Sequence, residues 1–243
     1  MAQTTPELRI GTSGYQYDHW KQRFYPEDLP KKQWFGWYAD RFDTVEINNT
    51  FYHLPKVDTF KAWHDQTPPG FRYAVKFSRY GSHIKKLKDP EGPIQQFVDG
   101  VAHLGAYLGP ILVQLPPRWH VNVERLERFL AAAPRDQRWA VELRDPSWLC
   151  DEVYAVLRAH NAALCLHDML PDHPREITAD WVYLRYHGDH YQGSYSHQFL
   201  AAEARRIKEY LRDHMDVYAY FNNDQNAYSV FNALDLRRDV LNE

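Results

Sequence analysis

The amino-acid sequence predicts a (β/α)8 barrel of the TIM type, an α/β fold, as a single domain over residues 1–243. Eight short runs rich in β-branched or aromatic residues recur along the chain, and helical patterns separate most of them. A strand–helix unit takes about 30 residues, so a chain of this length accommodates eight units. Hydrophobic residues make up 44% and charged residues 25% of the chain, which is ordinary for a globular domain and argues against disorder.

The eight strand candidates are apolar along most of their length. This continuous apolar character is typical of parallel strands that are buried on both faces, whereas half-exposed strands alternate. No glycine-rich phosphate-binding fingerprint follows the first run, which disfavours the alternative of an open doubly wound sheet. We expect strands at residues 8–12, 44–48, 72–77, 111–115, 139–144, 163–167, 182–187 and 217–222.

Helical periodicity between the strands places apolar residues on one face of each helix. We expect Asn122 to cap a helix that begins at Val123. Another helical face is expected over residues 97–108. No helical period and two prolines occur between strands six and seven, so we expect the sixth helix to be missing or very short and the barrel to be irregular there. The remaining helical segments are expected near residues 57–63, 153–157, 200–211 and 227–234.

Charge and cysteine content argue against several functional classes. The chain has 29 Lys+Arg and 32 Asp+Glu, so its formal net charge is −3 and it has no global attraction to nucleic acid. Cys150 and Cys165 lack the spacing of a disulfide framework or a structural zinc site. No apolar run reaches the ~20 residues that cross a bilayer. Residues 1–9 do not resemble a signal peptide, so we expect a cytoplasmic protein with no membrane partner.

Polar residues stand near the C-terminal ends of the apolar runs, where a buried charge is unfavourable unless it is paired. In a (β/α)8 barrel these ends converge on the mouth that carries the active site. Several of the polar residues are two positions apart, which places both on one face of a strand. The pairs are Glu46 with Asn48, Glu142 with Arg144 and Arg185 with His187, and the other residues are Lys76, Gln114, His167, Asp168 and Asn222.

We interpret these residues as an active site for a small anionic substrate, such as a phosphorylated sugar or a nucleotide-like molecule. A carboxylate and a histidine can exchange protons with a substrate, and guanidinium groups suit phosphate or carboxylate. The predicted catalytic residues are Glu46, Lys76, Glu142 and His187. The residues predicted to bind the substrate are Arg144 and Arg185, the amides Asn48, Gln114, Asn222 and Asn223, and the loop aromatics Tyr15, Tyr17, Trp20, Phe51 and Tyr52.

A neutral network of salt bridges that fixes the barrel is the structural alternative, because acidic and basic side chains balance at the predicted mouth. The substitution Arg185→Lys distinguishes the two interpretations. In an active site it weakens ligand binding by about tenfold or more and leaves thermal stability nearly unchanged. A large loss of stability with intact binding indicates the network instead.

Glu142, Asp168 and His187 are also candidate metal ligands, because they have the right side chains and lie on separate predicted strands. The nearby cations disfavour a divalent ion. We therefore predict no cofactor and keep a divalent metal as the alternative. A Schiff base at Lys76 is disfavoured, because neighbouring carboxylates would keep the amine protonated.

Two loops bear on the choice of partner. Residues 79–88 form the most basic stretch of the chain, which could follow a nucleic-acid backbone. Acidic residues follow at once, however, and a solvated, mobile loop explains the stretch as well. Nucleic acid is therefore a less favoured partner than a small anion. Residues 188–195 contain two glycines and predict a flexible lid.

A series of motifs runs through the chain: GTSGY at residues 11–15, VEINNTFY at 45–52, QLPP at 114–117, VELR at 141–144, RYHG at 185–188 and YFNND at 220–224. In this order they closely resemble the domain of unknown function 72 family over nearly the whole chain. The resemblance implies a TIM-type barrel but no established reaction, and the suggested relation of that family to metal-dependent endonucleases and sugar isomerases is a fold-level analogy. Asp145 stands where histidine is common and Asn49 where serine is common, so any role of that histidine is not transferred.

The leading hypothesis is a metal-independent acid–base enzyme, with hydrolase, isomerase and lyase reactions all open. A metal-dependent hydrolase of nucleic acid and a non-catalytic ligand-binding barrel are the alternatives. Binding that falls steeply with salt would indicate the nucleic-acid enzyme. A tight ligand that survives incubation unchanged would indicate the binding protein.

Overall fold

The computed structural model describes residues 5–188 and 193–241, and within these ranges the chain forms eight strands. Each strand pair whose register is defined is parallel, as the continuous apolar runs predict. The strands are β1 (Leu8–Thr12), β2 (Thr44–Ile47), β3 (Arg72–Lys76), β4 (Leu108–Gln114), β5 (Trp139–Glu142), β6 (Ala163–His167), β7 (Trp181–Tyr186) and β8 (Asp216–Phe221).

Helices occupy most of the connections between the strands. The described residues form α1 (Trp34–Ala39), α2 (Asn49–Tyr52), α3 (Val57–Gln66), α4 (Glu91–Val101), α5 (Val123–Ala132), α6 (Asp151–Ala159), α7 (His197–Arg212) and α8 (Tyr228–Leu241). The predicted cap of α5 is confirmed, because the side chain of Asn122 accepts a hydrogen bond from the Arg125 N–H over 2.9 Å.

Several predicted boundaries were wrong by one or two residues. β2, β5, β7 and β8 end earlier than expected, so Asn48, Arg144, His187 and Asn222 follow their strands instead of lying within them. The helix expected to reach residue 108 ends as α4 at Val101 and continues as a 3-10 turn, Ala102–Tyr107. Gly105 lies at φ 54° within that turn, a conformation that breaks the helical path and that glycine adopts without strain.

The connection between β6 and β7 contains no helix in residues 168–180, all of which are described. The prediction of a missing sixth helix is confirmed. Thr178 holds residues 168–180 against the start of β6 through two hydrogen bonds. Its hydroxyl accepts a hydrogen bond from the Leu164 N–H over 2.8 Å and donates one to the Ala162 carbonyl over 2.7 Å. These two bonds satisfy backbone groups that would otherwise be buried without partners.

The chain divides into two compact units. The terminal unit comprises Met1–Glu46, His167–Met169 and Trp181–Glu243, and the central unit comprises Ile47–Leu166 and Leu170–Asp180. The single-domain organisation over residues 1–243 stays a prediction.

In the terminal unit, β8 pairs with both β1 and β7. Leu8 is opposite Val217 in the first pair, and Tyr183 is opposite Tyr218 in the second. The helices α7 and α8 pack on each other, and α8 also contacts β1. Their buried side chains include Leu200, Ile207, Val230 and Leu236. This apolar layer supports the strand ends that carry the polar residues.

In the central unit, β4 lies between β3 and β5, and β5 pairs with β6. The register sets Gln114 opposite Glu142 at the ends of β4 and β5. The same unit contains an aromatic cluster, in which the ring of Phe77 is 5.4 Å from Phe129 and 6.1 Å from Trp139. The cluster gives this unit a core of its own.

Eight parallel strands with surrounding helices make this an α/β fold of the (β/α)8 TIM type, and the predicted fold class is confirmed. None of the helices within the described ranges is both long and apolar enough to cross a bilayer. The cytoplasmic location stays a prediction.

Candidate functional site

Glu46, near the end of β2, is the centre of a network of hydrogen bonds and an ion pair in the terminal unit. Its Oε1 accepts hydrogen bonds from Ser13 Oγ over 2.6 Å and from Arg185 Nη2 over 2.9 Å. Its Oε2 accepts a hydrogen bond from Tyr183 Oη over 2.6 Å. Glu46 is fully buried and Arg185 is 2% exposed. The two charges therefore form an ion pair shielded from solvent, whose carboxylate is fully hydrogen-bonded.

These contacts give Glu46 and Arg185 partners within the protein. Both oxygens of Glu46 accept hydrogen bonds, and Arg185 pairs with Glu46 inside the fold. A catalytic role for Glu46 and substrate binding by Arg185 stay predictions. Burial raises the pKa of Tyr183 well above 10.0, and the Glu46 charge adds to the effect, so the phenol stays a donor to Glu46.

His187 directly follows β7 and contacts Asp168, which directly follows β6. Asp168 Oδ1 lies 3.0 Å from His187 Nδ1 and 3.0 Å from the His187 backbone nitrogen. Asp168 Oδ2 accepts a hydrogen bond from the hydroxyl of Tyr195, which itself accepts one from the Gly188 N–H over 2.6 Å. One carboxylate thus fixes the backbone and the ring of His187 together.

The environment keeps Asp168 ionised. Burial alone would raise the pKa of this carboxyl, but hydrogen bonds from His187 and Tyr195 outweigh burial and hold the pKa below 3.8. The Asp168 side chain is 28% exposed, whereas that of His187 is 5% exposed. Burial and the Asp168 charge raise the pKa of Tyr195 far above 10.0, so Tyr195 keeps its hydroxyl proton at any ordinary pH and donates a hydrogen bond to Asp168.

The second nitrogen of His187 faces the network around Glu46. Arg185 Nη1 lies 3.4 Å from His187 Nε2. Because a guanidinium donates and never accepts, Nε2 is the acceptor in this contact. The proton of neutral His187 therefore resides on Nδ1, opposite Asp168. His167 packs edge-on to this ring at 6.2 Å, and its own Nδ1 accepts a hydrogen bond from the Met169 N–H over 3.1 Å.

The two asparagines after β8 have different surroundings. Asn222 donates its backbone N–H to the Tyr186 carbonyl over 2.7 Å. Asn223 is 2% exposed, and its amide donates to the Gly193 carbonyl and to Asn232 Oδ1. Asn223 thereby anchors the chain after residues 189–192, and those four residues of the predicted lid lie outside the described ranges. Substrate binding by either asparagine stays a prediction.

The aromatic residues of the loop after β1 pack within the terminal unit. Trp20 is fully buried and donates its indole N–H to the Asp224 carbonyl over 2.9 Å. Tyr17 packs on Trp20 at 4.9 Å between ring centres and donates to the Ser13 carbonyl. Tyr15 is 6% exposed, and burial raises its pKa to about 12. Trp20 therefore has a packing role, and ligand binding by Trp20, Tyr17 and Tyr15 stays a prediction.

Glu142, the last residue of β5, organises a second polar cluster, in the central unit. Its Oε1 accepts hydrogen bonds from Gln114 Nε2 over 2.9 Å and from Arg144 Nε. The Cys165 thiol lies 4.0 Å from Oε2. The Arg144 side chain is 16% exposed, whereas Glu142 is fully buried. Arg144 is thus the member of this cluster that a solute reaches first.

Lys76 and His83 share the ring of Phe51 in the same unit. Lys76 Nζ lies 4.4 Å from the centre of that ring, and the His83 ring meets it edge-on at 4.9 Å. Burial and, to a lesser extent, the charges of Lys76, Arg79 and Arg144 together lower the pKa of His83 to about 4, against an opposite contribution from Glu142. The surroundings of His83 are therefore electropositive.

Two other residues predicted to bind a ligand lie at the two ends of α2, Asn48 directly before it and Tyr52 as its last residue. The Oδ1 atom of Asn48 is buried and has no hydrogen-bond partner within the described part of the chain. Tyr52 is 67% exposed, whereas Phe51 beside it is 6% exposed. An acceptor without a partner and an exposed ring suit ligand binding, which stays a prediction for both residues.

The candidate metal ligands do not form a complete set. Asp168 and His187 are in contact, but within residues 5–188 and 193–241 no three His, Cys, Asp or Glu side chains are grouped as metal ligands are. A divalent metal stays the alternative that the sequence predicts.

Four residues of these clusters were not singled out from the sequence: Ser13, Tyr183, His83 and Tyr195. Tyr183 could have been found from the sequence, because it stands two residues before Arg185 and therefore lies on the same face of β7. Ser13 directly follows β1, and His83 lies in a single π-helical turn, Tyr80–Ile84, so no apolar period marks either residue. Tyr195 lies 27 residues from Asp168, and no pattern in the sequence connects them.

Comparison with known proteins agrees with this fold. UPF0759 protein YecE of Escherichia coli is 31% identical over 112 residues, which are 46% of this chain and 41% of that protein, so the chain matches less than half the length of this relative. UPF0759 protein YunF of Bacillus subtilis is 22% identical over 262 aligned residues, covering 93% of this chain and 92% of its own.

Two solved structures have the same fold over nearly the whole chain. A DUF72 family protein from Thermotoga maritima has a TM-score of 0.87 and 29% identity, covering 98% of this chain and 100% of its own. A DUF72 family protein from Enterococcus faecalis has a TM-score of 0.82 and 18% identity, covering 97% and 96%. The family model described as "Protein of unknown function DUF72" matches residues 9–243. This chain therefore belongs to the DUF72 family.

Proposed function

We propose that this protein is an acid–base enzyme in which His187 gives a proton to, or takes one from, a small anionic organic substrate. The observation that carries the proposal is the 3.0 Å contact between Asp168 Oδ1 and His187 Nδ1. A histidine held by a carboxylate through one ring nitrogen presents the other nitrogen for proton transfer. Such a group contributes about 10²–10⁴-fold to a reaction rate.

The neighbours of His187 suit it to both directions of proton transfer. Asp168 stabilises the imidazolium that forms when Nε2 takes a proton. Arg185, 3.4 Å from Nε2, opposes that positive charge and so favours release of the proton. The two neighbours therefore act on the charge of the ring in opposite directions.

Glu46 and Arg185 are positioning residues in this proposal. The Glu46–Arg185 ion pair is buried and fixes the guanidinium, and the guanidinium in turn faces Nε2. The hydrogen bond from Arg185 to Nε2 is long, so a substrate group can replace it at little cost.

The central unit by itself offers cations that suit an anionic ligand. Arg144 is partly exposed there, and Lys76, Arg79 and Arg144 make the surroundings of His83 electropositive. Phosphate and carboxylate groups are stabilised by such cations. Isomerase, lyase and hydrolase reactions all use a single positioned proton donor, so the proposal covers these three classes.

The experiment is a screen of phosphorylated sugars and carboxylic acids in D2O, followed by NMR. Turnover, or exchange of a carbon-bound hydrogen for deuterium, marks a substrate. We expect His187→Gln to slow the reaction by about 100-fold or more. The matched control is His103→Gln, since His103 is exposed and outside both clusters. A substrate converted equally fast by His187→Gln would contradict the proposal.

The anion is tested separately by titration with inorganic phosphate. We expect Arg144→Met to weaken phosphate binding by about tenfold, because it removes a charge-assisted hydrogen bond. Arg118→Met is the control, since it removes an exposed cation outside the cluster. Equal binding by both variants would contradict the anionic substrate and leave the role of His187 standing.

A further inference from the structure

A groove in the central unit has a lining that the proposed function does not use. Its volume is about 250 Å³, and its walls include Phe51, Tyr52, Ser78, Tyr80, Gln96 and Phe97. α2 supplies one wall, the chain after β3 a second and α4 a third. All three segments belong to the same compact unit, so the groove is formed within that unit.

The aromatic rings of this groove are divided between its floor and its rim. Phe51 and Phe97 are buried at 6% and 1% exposure, whereas Tyr52 and Tyr80 are 67% and 52% exposed. Large exposed rings scattered singly are ordinary, but two on one groove are a recognition surface. Flat rings of this kind bind other flat rings by stacking.

Positive charge stands beside the exposed rings. Arg79 is exposed and lies between the two wall residues Ser78 and Tyr80 in the chain. Lys85 Nζ lies 5.9 Å from the ring centre of Tyr80, while also pairing with Asp89 over 3.2 Å. The groove thus combines stacking surface with a cation at its edge, which together suit a planar ring that carries an anion.

The hydroxyl of Ser78 and the amide of Gln96 add hydrogen-bonding groups to the walls. Gln96 is exposed and offers both a donor and an acceptor. A heterocyclic base presents donors and acceptors along its edge, whereas a hydrocarbon ring does not. The polar walls therefore favour a base over an apolar aromatic ligand.

We propose that this groove binds a free mononucleotide, with the base on the rings of Tyr52 and Tyr80 and the phosphate beside Arg79. The volume is somewhat below the ~300 Å³ typical of the smallest drug-sized pockets, so it accommodates one base and leaves the phosphate at the rim. The net charge of −3 gives no general attraction to a nucleic-acid polymer. A single nucleotide is therefore favoured over a strand.

The inference goes beyond the proposed acid–base function and does not require it. The ligand is detected by binding without turnover, and the walls of the groove belong to the central unit, whereas His187 and Asp168 belong to the terminal unit. If the groove binds no mononucleotide, the proposed role of His187 is unaffected. If His187 transfers no proton, the proposed binding in the groove is likewise unaffected.

The test is calorimetric titration of the full chain with adenosine and uridine 5′-monophosphates. Ribose 5-phosphate and adenosine serve as probes that lack the base or the phosphate. We expect either mononucleotide to bind at least about tenfold more tightly than both fragments. We expect Tyr52→Ala and Tyr80→Ala each to weaken mononucleotide binding by about fivefold or more, and Arg79→Gln by a similar factor.

Both tyrosines are largely exposed, so their substitution leaves the fold intact. Phe231→Ala is the matched control, because Phe231 is a 45% exposed aromatic residue on α8, outside the groove. Three results would overturn the inference. They are no mononucleotide binding at millimolar concentration, binding that both tyrosine variants retain in full, and binding of a single-stranded oligonucleotide alone with steep salt dependence.

Discussion

Oδ1 of Asp168 lies 3.0 Å from the backbone nitrogen of His187 and 3.0 Å from its Nδ1. A single oxygen therefore positions the start of the loop after β7 and selects the ring nitrogen that carries the proton. This double contact links the fold to the proposed chemistry, because the ring cannot rotate without losing the carboxylate.

The ionised state of Asp168 predicts a dependence of stability on acid. Its folded pKa lies below 3.8 despite burial, so its contribution to the free energy of unfolding is present above that value and is lost as pH falls through the folded pKa. Asp168→Asn should therefore lose less stability than the wild type between about pH 4 and pH 2. Thermal unfolding at both pH values measures this. The exposed Asp136→Asn should behave as the wild type, and an equally steep acid loss in Asp168→Asn would refute the prediction.

The buried ion pair predicts a strong coupling between Glu46 and Arg185. Either Glu46→Gln or Arg185→Met leaves a buried charge without its partner and should lower the free energy of unfolding by about 3–5 kcal/mol. The double variant should lose clearly less than the sum of the two single losses. Denaturant unfolding of all four proteins measures the cycle. Additive single losses would show that the pair does not act as a unit.

His83 predicts a second, different pH dependence. Burial lowers its folded pKa to about 4 from 6.5, so the unfolded chain binds more protons between these values. The free energy of unfolding should therefore fall as pH is lowered from about 6.5 to 4, and His83→Asn should reduce that fall. Urea unfolding at several pH values in this window measures the slope. The exposed His103→Asn is the control, and identical slopes in His83→Asn and wild type would contradict the prediction.

The cap of α5 gives a prediction that depends only on local structure. Asn122→Ala removes the acceptor of the Arg125 N–H and should lower the free energy of unfolding by about 1 kcal/mol. Asn122→Asp keeps an acceptor at the same position and should stay close to the wild type. Denaturant midpoints compare the three proteins. A loss as large in Asn122→Asp as in Asn122→Ala would show that capping is not the cause.

The strands and the strand-end residues could be predicted because their signals are local. Apolar runs mark β1 to β8, and spacing by two placed Arg185 and His187 on one face. Prolines and the lack of helical period predicted the missing helix before β7. These features depend on neighbouring residues, which the sequence presents directly.

The pairing of those residues could not be predicted, because it depends on contacts between distant parts of the chain. Glu46 and Arg185 are separated by 139 positions, and nothing in either segment shows which opposite charge each of them meets. The sequence therefore left an active site and a neutral network both open, and the structure pairs Glu46 with Arg185 in a buried ion pair. The roles of His83 and Tyr195 could not be predicted for the same reason. They depend on contacts with Lys76 and Asp168, which are distant in the sequence or connected by no pattern.

The proton-transfer role of His187 requires that the neutral ring carry its proton on Nδ1 and leave Nε2 without one. Long-range ¹H–¹⁵N NMR of protein labelled with ¹⁵N-histidine measures this tautomer, with His187→Gln identifying the signals. We predict a protonated Nδ1 and a bare Nε2 in the neutral ring, with the tautomer preference lost in Asp168→Ala. A neutral His187 protonated on Nε2 would contradict the proposed role.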